Sequence, residues 1–133
     1  MAGRLVVTTL NNDTGVLATQ NGMTGIAKAW VNFDGTNAFS PNPSTSAIRG
    51  SFNVSSITDR GAGAYTVNFT TVMPNANYSA LGTASRSGAE TQLVVSISSA
   101  VPPTINGVAI QTYRTSDAGV EDSPNVNVVI FSS

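Results

Sequence analysis

Apolar and polar residues alternate along most of this chain. In residues 64–71, Tyr65, Val67 and Phe69 fall on one side and Ala64, Thr66, Asn68 and Thr70 on the other, the period of a strand with one buried face. The same period, with β-branched and aromatic residues set against Ser, Thr and Asn, predicts strands at residues 5–9, 26–33, 48–55, 64–71, 77–84, 91–98, 107–114 and 125–131. No apolar period of helical spacing runs far enough to build a helix, and no heptad repeat offers a coiled-coil shaft. The expectation is an all-β protein, an antiparallel β-sandwich or jelly roll of about eight strands.

The breaks between these segments carry turn chemistry. Asp59-Arg60-Gly61-Ala62-Gly63 supplies two glycines able to take positive φ, which predicts a hairpin between the strands at 48–55 and 64–71. Pro41, Pro43 and the pair Pro102-Pro103 remove backbone donors and mark loops, and residues 116–124 read as a loop on the same grounds. Asp34-Gly35-Thr36-Asn37 reads as a turn in which the Asp side chain bonds its own backbone. Residues 1–25 differ in texture, with the short apolar runs Leu5-Val6-Val7 and Val16-Leu17 set among Thr, Asn and Gly. They read as a short N-terminal arm with a lead-in strand, ahead of one β-domain over residues 26–133. Two readings of the arm stand side by side: an ordinary first strand, or a segment that docks on a neighbouring subunit or particle with Leu5, Val6 and Val7 as its contacts.

Composition narrows the chemistry. The 133 residues include no His and no Cys, which removes the usual general base near neutral pH, the thiolate nucleophile and the soft metal ligands. Charged residues make up 10% of the chain and the net charge is −1, so no basic field exists to hold a nucleic-acid backbone. Seven acids are scattered over mostly loop positions, and no pair is nominated for glycoside hydrolysis. Asp117, Glu121 and Asp122, with Asn125 nearby, could offer oxygen ligands to Ca²⁺, but their spacing matches no EF-hand and they read as a solvated loop. Lys28, the single lysine, shares a face with Ile26 and Trp30 on strict alternation and reads as an edge guard or ion-pair partner. Trp30, the single tryptophan, reads first as core, with an inter-subunit anchor and a carbohydrate platform as alternatives; Tyr78 and Tyr113 are the candidate companions of such a platform. The expectation is a protein that is not an enzyme, with no catalytic residues, cofactor or metal, and with no membrane partner, since no run of about 18 apolar residues is present. The first residues lack the apolar run of a secretory signal, so the product is expected to stay in the cytosol unless a particle carries it out.

Several stretches carry a resemblance. Ile26-Ala27-Lys28-Ala29-Trp30-Val31-Asn32-Phe33-Asp34-Gly35-Thr36, Ile48 to Asp59, Gly63 to Thr71 and Met73-Pro74-Asn75-Ala76-Asn77-Tyr78 resemble a β-domain of tail-fibre and fibre-like virion proteins of tailed bacteriophages. Arg114-Thr115 followed by Val126-Asn127-Val128-Val129-Ile130-Phe131 looks like that family's closing hairpin. The resemblance implies a virion location and partners among virion proteins. A small β-domain with a short arm and low charge also suits a capsid decoration, or cement, protein, expected as a homotrimer reinforcing contacts of the major capsid protein through Leu5, Val6, Val7 and Trp30. The alternative is a short tail-fibre or receptor-binding tip. It would present residues 35–45, 85–90 and 116–124 to a host-surface glycan.

Overall fold

The computed structural model describes residues 3, 25–86, 88 and 93–133. Eight strands occupy them: β1 (Ala27–Phe33), β2 (Ile48–Phe52), β3 (Val54–Asp59), β4 (Ala64–Phe69), β5 (Ser79–Ser85), β6 (Leu93–Ile97), β7 (Gly107–Arg114) and β8 (Asn125–Phe131). Every pairing is antiparallel, and the strands form one sheet in the order β2-β1-β8-β5-β6-β7-β4-β3. The all-β expectation therefore holds. The two-layer sandwich or jelly roll does not: a single sheet curls into a nearly closed barrel. The expected strand at residues 5–9 lies outside the described residues, as do the arm contacts Leu5, Val6 and Val7.

Closure comes from a single residue. β2 and β3 stand at opposite ends of the strand order, yet only Asn53 separates them in the chain. The predicted strand at 48–55 is thus two half-strands, one pairing with β1 and the other with β4. Asn53 sits at φ 55°, a left-handed conformation that Asn adopts more readily than most residues. Its side-chain amide donates to the Lys28 carbonyl at 3.0 Å and the Thr71 carbonyl at 3.1 Å, while its Oδ1 accepts from the Thr71 amide at 2.7 Å. One side chain thereby ties β1 to the segment leaving β4, stitching the two ends of the sheet together. Ser44 covers part of β3's outer edge, exchanging backbone hydrogen bonds of 2.8 and 2.9 Å with Ile57.

Inward-facing side chains fill the barrel. Ala29, Val31 and Phe33 of β1 meet Ile57 of β3, Tyr65, Val67 and Phe69 of β4, Val108 and Ile110 of β7, and Val126, Val128 and Ile130 of β8. The aromatic face predicted for β4 is the core face. Phe33 packs edge-on to Tyr65 with ring centroids 5.1 Å apart, and Phe69 likewise to Tyr78 at 5.7 Å. Among the described residues no buried side-chain polar atom lacks a hydrogen-bond partner. The β3–β4 hairpin predicted from the glycines at 61 and 63 is present, both in positive φ.

A bulge corrects one reading of β1. Opposite β8 the register slips between Ala27 and Ala29, so Lys28 is an extra residue and strict alternation fails there. Lys28 turns inward and is buried, whereas Trp30 faces outward. The two do not share a face, Lys28 is no edge guard, and Trp30 does not belong to the core.

Replacing Asn53 with Ala should remove three hydrogen bonds and leave an alanine in left-handed backbone, lowering the unfolding free energy by about 2–3 kcal/mol in urea titrations. Asn53→Gly, which relieves only the backbone cost, should recover part of that loss. Parent-like stability for Asn53→Ala would show that closure does not depend on this side chain.

Candidate functional site

Two surfaces stand out, one at an end of the barrel and one on its wall. The end is built where β1 and β5 finish and β2, β4 and β8 begin, which brings the predicted loops 35–45 and 116–124 and the segment at Arg86 together. The Gly35 amide donates to the Ser123 carbonyl at 2.8 Å, and the Ser123 hydroxyl donates to the Ser85 carbonyl at 2.6 Å. Below them the buried Tyr65 hydroxyl donates to Asp122 Oδ1 at 2.6 Å and lies 3.1 Å from the Gly35 carbonyl. Gly35 is required by this approach, because a Cβ there would lie 2.8 Å from the Tyr65 ring carbon Cζ and nearer still to its hydroxyl oxygen. Burial and the Asp122 carboxylate hold the phenol protonated far above its ordinary range.

Several of the described charged groups of this end pair with one another. Arg49 donates to Asp34 at 2.8 Å, to the Pro124 carbonyl at 2.6 Å and to Asn125 Oδ1 at 2.8 Å. Glu121 accepts from Arg86 at 2.9 Å and from Arg114 at 3.3 Å, and Arg114 also pairs with Asp117. Asp34 folds back as predicted, its Oδ1 accepting from the Thr36 hydroxyl at 2.6 Å and the Thr36 amide at 3.0 Å. The Thr36 hydroxyl, with Arg49 beside it, holds the Asp34 carboxyl below its usual value of 3.8. Asp117, Glu121 and Asp122 are thus engaged with arginines, with a phenol and with backbone amides such as that of Gly63. Among the described residues no group of three acid, His or Cys side chains is placed to hold a metal.

The wall surface centres on Trp30. Cross-strand register places Phe52, Trp30, Val129 and Leu81 in one row over β2, β1, β8 and β5. Trp30 is 43% and Leu81 56% exposed, and Phe52 is also exposed. The indole reaches Gly50 of the neighbouring strand, where an added Cβ would sit 3.5 Å from the ring. The adjoining row is polar: Asn32 donates to Asn127 Oδ1 at 2.8 Å and Asn127 donates to the Thr83 hydroxyl at 3.3 Å. Between the rows lies an open groove of about 420 Å³ walled by Trp30 and Leu81, with no charged residue in its lining. Uncharged, largely apolar and exposed, this face can exclude water against another surface; its amides can set the register of that contact.

Trp30 is the one sequence-derived contact residue that the structure places on this face. Phe52, Val129 and Leu81 escaped the sequence reading, which turned large apolar residues inward. A signal existed in β5, where Ala80, Gly82 and Ala84 alternate with Ser79, Leu81 and Thr83. The small set faces in because Val95 and the Asn127 carbonyl crowd Gly82, leaving no room for a Cβ. Tyr78 is no companion of Trp30, being buried with its hydroxyl 3.0 Å from the Thr104 carbonyl and 2.9 Å from that of Gly107. The chain matches no protein-family model, no curated protein and no solved structure.

Tyr65→Phe should remove the phenol's hydrogen bonds to Asp122 and the Gly35 carbonyl and loosen the loop cluster, costing about 1–3 kcal/mol by denaturant titration while far-ultraviolet dichroism stays unchanged. The lowered Asp34 pKa gives a pH signature of definite sign. Its stabilisation is complete above the ordinary carboxylate value of 3.8 and is lost as the pH falls through the lower folded value. Asp34→Asn should therefore melt at a lower temperature than the parent at pH 7, and the two should converge at pH 2. Curves that stay equally separated at both pH values would overturn this assignment.

Proposed function

We propose that the chain is a structural protein of a bacteriophage virion, a capsid decoration protein that assembles as a homotrimer and reinforces the head surface. The observation that carries this reading is the uncharged row Phe52, Trp30, Val129 and Leu81 on the barrel wall, in which Phe52, Trp30 and Leu81 are exposed and Val129 is half-buried. Apolar surface gathered in this way is stabilised when a partner covers it. A symmetric oligomer reuses such a surface at every copy, and the low charge of the chain keeps like copies from repelling. The resemblance of residues 26–78 to virion β-domains points the same way. In this role the protein acts by burying contacts, with Trp30 as the central anchor.

A second reading is favoured by one specific observation, the loop cluster pinned by Tyr65, Asp122 and the Arg49 contacts. Loops fixed on a rigid scaffold suit recognition, so a receptor-binding tip presenting this end to a host-surface glycan is the alternative.

Quantitative mass spectrometry of purified virions separates the two. The decoration reading expects a copy number near that of the major capsid protein, whereas a few copies per particle would favour the tip. Trp30→Glu should leave the barrel folded but abolish oligomerisation and capsid binding. Undiminished particle occupancy by this variant would remove the wall face from the assembly contact.

A further inference from the structure

The sheet parts between β5 and β6. These strands are in register only at Thr83 with Val94 and Ala84 with Leu93, next to the connection between them. β5 nevertheless keeps pairing with β8 down to Ser79, and β6 with β7 as far as Ile97. Gly82 still lies against Val95, so the edges part beyond that contact and residues 79–81 and 96–97 face each other across a wedge. Ile97 belongs to the inward-facing set with Leu93 and Val95, yet it is 42% exposed because β5 has moved away from it. The wedge encloses about 290 Å³, and its floor is formed by Ile110 and Val128, which are otherwise core residues. Ala80, Gly82, Val95 and Ile97 complete the walls, and no charged side chain lines it.

We propose that the wedge is the seat of the chain's own N-terminal segment, with Leu5 and Val7 over Ile110 and Val128 and the backbone of residues 5–9 pairing with a parted edge. Where the chain enters the barrel favours this occupant. Ala27 pairs with Phe131, and Phe131 with Ser79, so β1 begins at the mouth of the wedge, two strand spacings or roughly 10 Å from β5. Residues 8–24 extend up to roughly 55 Å, several times the distance needed. Leu5-Val6-Val7-Thr8-Thr9 combines β-branched residues with an apolar run, and its neutral residues match an uncharged slot. A strand seated there would complete the interrupted pairing and cover Ile97. The proposal stands on the wedge alone and does not depend on the virion reading.

The chain has no cysteine, so a disulfide can be introduced cleanly. Val7→Cys with Ile97→Cys, oxidised in dilute full-length protein, should give an intramolecular disulfide identified by peptide mapping. The control pair Val7→Cys with Thr36→Cys, at the far end of the barrel, should not. Equal cross-linking in both pairs, or none, would overturn the proposal; cross-linked dimers would overturn it in favour of a second copy's arm. A single substitution, Val7→Asp, should raise amide exchange at Ala80 and Ile97, whose amides face the wedge, by about tenfold or more without changing exchange in β4. Unchanged exchange at the wedge would also count against a seated arm.

Discussion

The barrel depends on how Asn53 ends one half-strand and begins the next. Antiparallel strands alone would leave β2 and β3 as two distant edges of an open sheet, and the covalent link between them would be a strain on the fold. Asn53 turns that link into a corner by accepting a left-handed backbone and using both ends of its amide on neighbouring segments. Once the corner is set, the inward faces of β1, β3, β4, β7 and β8 converge on one core, with Phe33 packed on Tyr65 towards one end and Phe69 on Tyr78 towards the other. The loop end follows from the same geometry, because Tyr65 reaches out of that core to Asp122 and Gly35.

Inside and outside are then divided by local packing rather than by hydrophobicity alone. On the wall, β5 gives its inner face to Ala80, Gly82 and Ala84 because β6 and β8 press close, and the larger Leu81 is left outside. In β1 the bulge turns Lys28 in, and the regular alternation from Ala29 to Phe33 leaves Trp30 outside. These two inversions produce the apolar row that carries the functional reading. Loop chemistry is spent on structure: Arg49, Arg86 and Arg114 each hold carboxylates or carbonyls that position the end of the barrel.

The strand positions were legible in the sequence, since period two in residues 64–71 or 125–131 reflects a real core face. The β3–β4 hairpin and the Asp34 turn were legible for the same reason, being short-range consequences of Gly and Asp chemistry. The number of sheets was not, because barrel and sandwich share the same alternation and differ here in the dihedral angle of one asparagine. The side taken by Lys28 was hidden by a single extra residue opposite β8, a pairing irregularity that no period reveals. The row joining Trp30 to Phe52, Val129 and Leu81 combines four strands far apart in sequence and required the register to be seen.

Ring closure also bears on how such a molecule behaves when crowded. An open sheet ends in rows of unmatched backbone groups that recruit strands from other molecules and grow into aggregates. Here the chain's own corner joins the two terminal strands, and Ser44 shields part of what remains at β3. Many copies could therefore stand side by side at high local density and touch through side chains, with sheet extension from one molecule into the next suppressed along that seam.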